Sequence, residues 1–184
     1  MAWGWSVAVI VLLTVGSWAD HRGYLTGWAG GAGQYEGKSF HVLRVIDGDT
    51  IEVKPLNGSG KLIRVRLWGI DTPELDNAGQ AAEAEPLAEA ARRFTRAACL
   101  GAAVTLEVQP HRLHDKFQRL LAYVKPNDGT VLNERLLKAG LATADDRFPH
   151  KHFERYELHE RQARYDRVGL WSRHLRVARA ELRR

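Results

Sequence analysis

A single cysteine, Cys99, occurs in 184 residues. An internal disulfide is therefore excluded, although an exported protein of this size could have used several. Cys99 ends an apolar-periodic stretch and reads as a small buried hydrophobe rather than a reactive thiol. The eight histidines come with neither a Cys partner nor the His-Glu-x-x-His spacing of a zinc site, so solvated roles are expected of them. Charge is missing altogether from Ala2 to Ala19. As a helix that stretch would measure roughly 27 Å, the threshold for spanning a bilayer. Ser17-Trp18-Ala19 offers small residues to a signal peptidase, yet the basic residues that normally precede the apolar core are lacking. Trp3, Trp5 and Trp18 flank the run as interfacial tryptophans do. A signal peptide and an uncleaved membrane anchor both remain open, and the chain is expected to be exported, either secreted or held at a membrane through residues 2–19.

The rest of the composition, 45% hydrophobic and 27% charged, is ordinary for one globular domain with extensions. A net charge of +5 and a pI near 9.6 suit a polyanionic partner without proving one. Residues 20–38, rich in glycine around Gly30-Gly31-Ala32-Gly33, read as a linker, with a domain over 39–171 and a basic tail over 172–184. Strands are expected at 40–45 and 50–53, joined at Asp47-Gly48. A third follows over 62–70, with Ile63, Val65 and Leu67 on one face and Arg64, Arg66 and Trp68 on the other. Two more fall at 103–108 and 119–125. Helices are expected over 87–100 behind Pro86, over 131–139 up to Gly140, and over 152–167. The fold class is thus α+β, mainly β: a five-stranded barrel of the oligonucleotide-binding type with three helices, plus the N-terminal apolar helix.

Three segments bear the chemistry. They are Asp47-Gly48-Asp49-Thr50, Arg66 with Asp71-Thr72-Pro73-Glu74, and Asp115-Lys116-Phe117-Gln118-Arg119. Clustered carboxylates beside two arginines in strand-like sequence are what a metal-assisted phosphodiesterase needs. Asp49 and Asp71 are candidate ligands for a hard cation such as Ca²⁺. An EF-hand is excluded, because Ile51 and Glu52 fall where that loop needs a ligand and a glycine. Arg66 and Arg119 are candidate phosphate clamps, since guanidinium groups match phosphate oxygens and stay charged. Strict alternation would place Asp71 opposite Arg66, so one shared site requires a bulge or strand end near Gly69.

These segments, with Leu120-Leu121-Ala122-Tyr123 and the closing Gly169-Leu170-Trp171, resemble the staphylococcal-nuclease-like, or thermonuclease, family over residues 39–171 in the same order. The resemblance implies Ca²⁺-dependent cleavage of DNA and RNA, with attack that leaves 3′-phosphate ends. It assigns the Thr72 carbonyl to the metal alongside Asp49 and Asp71, with Asp47 behind them, and catalysis to Arg66, Arg119 and Glu74, the last as general base. Lys116, Phe117 and Phe148 would contact substrate. Two departures are visible: Asp146 stands where one base-stacking aromatic is expected, and Phe117 replaces a tyrosine. Two other classes remain as alternatives, an inactive nuclease-like module that binds nucleic acid and a membrane-anchored interaction protein.

Overall fold

The computed structural model describes residues 31–58, 60–74 and 87–172. The expected helix over residues 1–19, Pro86 and the tail after Ser172 lie outside the described residues. Five strands, β1 (Lys38–Val45), β2 (Thr50–Pro55), β3 (Ile63–Leu67), β5 (Ala103–Glu107) and β6 (Leu120–Pro126), close into a barrel in the order β1-β2-β3-β6-β5. Every neighbouring pair is antiparallel except β3 and β6, which run parallel with Arg66 opposite Leu121. The β-branched and leucine-rich interior positions Val42, Val45, Ile51, Val53, Val65, Leu67, Val104, Leu106, Leu120 and Val124 are all buried. Their alternation supplies the driving force for closure, because each strand turns one apolar face inward. The packed part reaches back to Ala32, which is buried beside β1, and Glu36 accepts the Val108 N–H at 2.6 Å.

One small element escapes the periodicity altogether. β4 (Ile70–Asp71) pairs with β7 (Thr143–Ala144), two residues each, as a separate ribbon beside the barrel. Between β3 and β4 the chain turns at Gly69, whose φ of +79° is strained for any residue with a side chain. A Cβ there would also lie 2.4 Å from the His150 ring. The strand end anticipated at Gly69 is therefore present. It brings Asp71 back toward Arg66.

Three helices pack outside the barrel: α1 (Ala88–Cys99), α2 (Leu132–Lys138) and α3 (Phe153–Asp166). α1 buries Ala88, Ala91, Thr95 and Cys99, a stripe of small residues that lets the helix approach the β1–β2 turn. Thr95 donates its hydroxyl to the Gly48 carbonyl at 2.6 Å, and a Cβ on Gly48 would sit 2.7 Å from that of Ala91. Asn133 of α2 is fully buried; it accepts the Val124 N–H at 3.1 Å and donates to the Trp68 carbonyl at 2.9 Å. A buried amide with both ends bonded in this way fixes the exit of β3 against β6. Cys99 is buried, with its Sγ donating to the Thr95 carbonyl and its thiol pushed up to about 12 by burial. Among the described residues no helix is long and apolar enough to cross a membrane.

Candidate active site

The β1–β2 turn builds the floor of the site. Asp47 accepts the Asp49 N–H at 3.0 Å, the side chain to backbone bond that aspartate favours in turns. This directs Asp49 inward, where its carboxylate is fully buried and receives the Thr72 N–H at 2.9 Å and the Thr72 hydroxyl at 3.0 Å. The Thr50 hydroxyl and the Arg66 guanidinium bind its other oxygen. Arg66 also pairs with Asp71 and thus bridges both carboxylates. Its side chain is only 9% exposed, against 55% for Arg64 two residues earlier, which pairs with Glu52 at the surface. In the sequence only the motif spacing separates these two strand arginines; in the structure Arg66 is set apart by its burial and by its two carboxylate partners.

Electrostatics follow from that burial. Loss of hydration pushes the Asp49 carboxyl up, to about 7, while Arg66 pulls it down and Asp47 adds to the rise. Burial works against the Arg66 charge as well, but Asp49 and Asp71 more than offset it and hold the guanidinium protonated. Glu74 stands exposed at the mouth of the site. Partial desolvation and the negative charge of Asp47 push its carboxyl above the usual range, with Arg66 and Arg119 opposing.

Across from this wall, the loop before β6 is organised by Asp115. Its carboxylate accepts the backbone N–H groups of Phe117 and Arg119, at 2.8 and 3.0 Å, and the Arg119 Nε at 2.7 Å. Burial alone would raise the Asp115 carboxyl, but these bonds hold it below the usual range. Arg119 is thereby aimed along the same face as Arg66, whose strand pairs directly with β6. Phe117 is 66% exposed, with Lys116 and Arg119 lying over its ring at 4.9 and 5.3 Å.

Between the two walls lies a cavity of about 500 Å³ lined by Arg66, Asp71, Glu74, Lys116, Phe117, Arg119 and Phe148, among others. Seven of the ten site residues read from the sequence therefore meet in one cavity, and the other three, Asp47, Asp49 and Thr72, back its floor through Arg66. Three lining residues went unnoticed in the sequence: Arg112, Asp145 and Arg147. Asp145 is tied to the site by its N–H, bonded to the Gly69 carbonyl at 3.0 Å, and it grips Arg147 through two bonds of 2.7 and 2.8 Å. Arg147 in turn lies 3.6 Å from Asp71. Asp146 is exposed and outside the cavity lining, so no aromatic stands at that place.

The family model for the staphylococcal nuclease homologues matches residues 64–173. The chain belongs to that family. A thermonuclease of Staphylococcus hyicus is 32% identical over 167 residues, covering 90% of this chain and 93% of that protein. A thermonuclease of Staphylococcus intermedius is 36% identical over 138 residues, covering 74% and 78%. The endonuclease YncB of Bacillus subtilis is 35% identical over 132 residues, covering 71% and 60%. The family's match begins at β3 and so takes in Arg66, Asp71, Glu74 and the Asp115 loop, while the β1–β2 turn is covered by the longer relatives.

One histidine departs from expectation, whereas His111 and His114 are exposed as expected. His150 is buried rather than solvated, its ring packed under Gly69 among Trp68, Tyr123 and Tyr156. Its Nδ1 lies 3.2 Å from the Tyr123 hydroxyl, which itself receives Gln109 at 2.6 Å. Burial pushes this imidazole down to about 4, so it is a neutral core residue. Among the described residues no group of three or more His, Cys, Asp or Glu is placed to hold a metal ion. The oxygen donors at the site are instead the pair Asp49 and Asp71. That set is sparse but hard, and both carboxylates already share one cation, the Arg66 guanidinium, so a divalent ion completed by water and a phosphate oxygen fits its chemistry.

Proposed function

We propose that this nuclease is a Ca²⁺-dependent endonuclease that hydrolyses DNA and RNA to products with 3′-phosphate ends. The observation that carries the reading is the convergence of Arg66, Arg119 and Glu74 on one cavity whose floor holds Asp49 and Asp71. A phosphodiester entering there meets two guanidinium groups, one from β3 and one from the residue that leads into its neighbour β6. Glu74 accepts a proton from a water aligned for in-line attack on phosphorus, and its raised affinity for protons improves it in that task. As the water oxygen bonds to phosphorus, the bond to the 5′-oxygen breaks; that oxygen takes a proton from solvent and leaves as a hydroxyl. Negative charge grows on the phosphoryl oxygens meanwhile, and Arg66 and Arg119, already oriented by Asp49, Asp71 and Asp115, stabilise it without reorganising. Ca²⁺ held by Asp49, Asp71 and the Thr72 carbonyl would supply further positive charge at the same oxygens.

The test is cleavage of end-labelled DNA by protein freed of metal, with Ca²⁺ or with excess chelator, and with Glu74→Gln in parallel. Cutting should need Ca²⁺, leave 3′-phosphates and fall by ~100- to 1000-fold in the variant. Full activity in chelator would remove the metal from the reading, and full activity of Glu74→Gln would remove the base. The N-terminal segment, residues 1–19, is proposed to export or anchor the enzyme, with 172–184 as a basic tail; the linker expected over 20–38 is shortened at its end, where Ala32 and Glu36 already pack against the barrel. Recovery of the intact chain, Met1 included, from a soluble cytosolic fraction would reject that.

A further inference from the structure

The arginines of the cavity divide into two kinds. Arg66 is bound to Asp49 and Asp71, Arg119 to Asp115, and Arg147 to Asp145 with Asp71 nearby. Each spends its charge on a carboxylate. Arg112 is different: it lines the same cavity but has no carboxylate partner among the described residues. Its guanidinium lies 3.6 Å from the centroid of the Phe148 ring, a close cation–aromatic stack that covers one face and leaves the N–H edge for another ligand. The stack also restricts the side chain, which is half-buried, so little rotamer freedom remains to be lost on binding. An unneutralised, preoriented guanidinium in the wall of a phosphodiesterase cavity is suited to an anion.

We propose that Arg112 holds a second phosphate of the substrate strand, distinct from the one being cut, and so selects polynucleotides over single phosphodiesters. This rests on the nuclease reading of the same cavity. The phosphate clamps Arg66 and Arg119 deal with the scissile group. Arg112, on the turn preceding the Asp115 loop and braced by Phe148 from the segment after β7, stands apart from both carboxylate-bound walls. Asp146 adds no stacking ring beside this flank of the cavity, and one face of the Phe148 ring is already covered by Arg112. Grip on the flanking nucleotide then comes from charge, which is indifferent to base identity.

Two measurements on the full chain decide the matter. The first is binding of a labelled twelve-nucleotide oligothymidylate to Glu74→Gln in chelator, followed by fluorescence anisotropy across a salt series. Adding Arg112→Gln should weaken binding at low salt by roughly tenfold and reduce the slope of log affinity against log salt by about 0.7. Arg112→Lys, which keeps the charge and loses the plane, should retain the slope. An unchanged slope in Arg112→Gln overturns the proposal. So does an equal loss in Arg112→Lys, which would assign the guanidinium to a base. The second measurement compares turnover in an otherwise unaltered protein. Arg112→Gln should lower kcat/KM on the oligonucleotide, mainly through KM, and leave thymidylyl-thymidine, which has no second phosphate, unaffected. Equal losses on both substrates would make Arg112 a prop for the site and overturn the assignment. If the parent protein cuts neither substrate, the nuclease reading fails, and the binding series still decides whether Arg112 holds a phosphate.

Discussion

Replacing Gly69 by alanine tests how the turn between β3 and β4 aligns Asp71 with Arg66. Two costs are separable. A side chain at φ +79° is strained by ~1–2 kcal/mol. The new methyl would also stand 2.4 and 2.5 Å from the His150 Cε1 and Nε2. His150 cannot easily give way, because its Nδ1 is engaged by the Tyr123 hydroxyl at 3.2 Å and the His152 N–H at 3.3 Å, and its ring packs against Tyr156 at 5.1 Å. Overpacking of that kind costs ~1–3 kcal/mol. Gly69→Ala should therefore lose about 3 kcal/mol and roughly 10 °C in Tm, read by urea and thermal melts. The larger effect is functional: a shift of Asp71 by about 1 Å should lower DNA cleavage on the order of 100-fold. In a His150→Ala background the steric part disappears, and only the backbone cost of ~1–2 kcal/mol should remain. A Gly69→Ala protein with parental stability and full turnover would refute the turn's role. An identical stability loss with and without His150 would refute the packing argument alone.

Arg119→Ala should reduce turnover ~100- to 1000-fold while melting close to the parent, since the side chain sits at a strand end. A variant that keeps most of its rate would show that this arginine is no clamp. Stability should decline between pH 6.5 and about 4 through His150: folding holds its imidazole near 4 against an ordinary 6.5, so the unfolded chain takes up a proton that the folded state refuses. The contribution is complete above 6.5 and lost as pH falls through about 4, on the order of 3 kcal/mol in all, of which about 2 kcal/mol falls between pH 7 and 5. Urea melts at pH 7 and 5 should show this difference shrinking in His150→Phe, and an undiminished difference would assign the loss to other groups.

Much of the barrel was legible because its strands obey an alternation that burial imposes. Residues 62–70 show this best: Val65 and Leu67 went inward as their positions required, and the conflict between Arg66 and Asp71 pointed to the break at Gly69. The motif carboxylates and arginines were readable for a different reason, their residue types being set by chemistry. What stayed hidden was contact without period. β4 and β7 are two residues each, too short for any pattern, yet they deliver Asp145 and Arg147 to Asp71. His150 looked like one more polar residue in a basic stretch; its burial depends on the space left by a glycine about eighty residues earlier. Arg112 had no marker at all, since a guanidinium above a ring is defined only by the distance between two loops.

The parallel pairing of β3 with β6 has a consequence for how the enzyme comes into being. Val65 meets Leu120 and Arg66 meets Leu121, partners separated by half a hundred residues, and this one seam joins the two arginine-bearing walls. No earlier association of neighbouring hairpins can assemble them. Catalysis is thus a reporter of a strand pairing between residues far apart in sequence, expected among the slower steps for such a topology. During refolding, the return of cleavage should lag behind the formation of the β1–β2 hairpin and keep time with the sealing of the barrel.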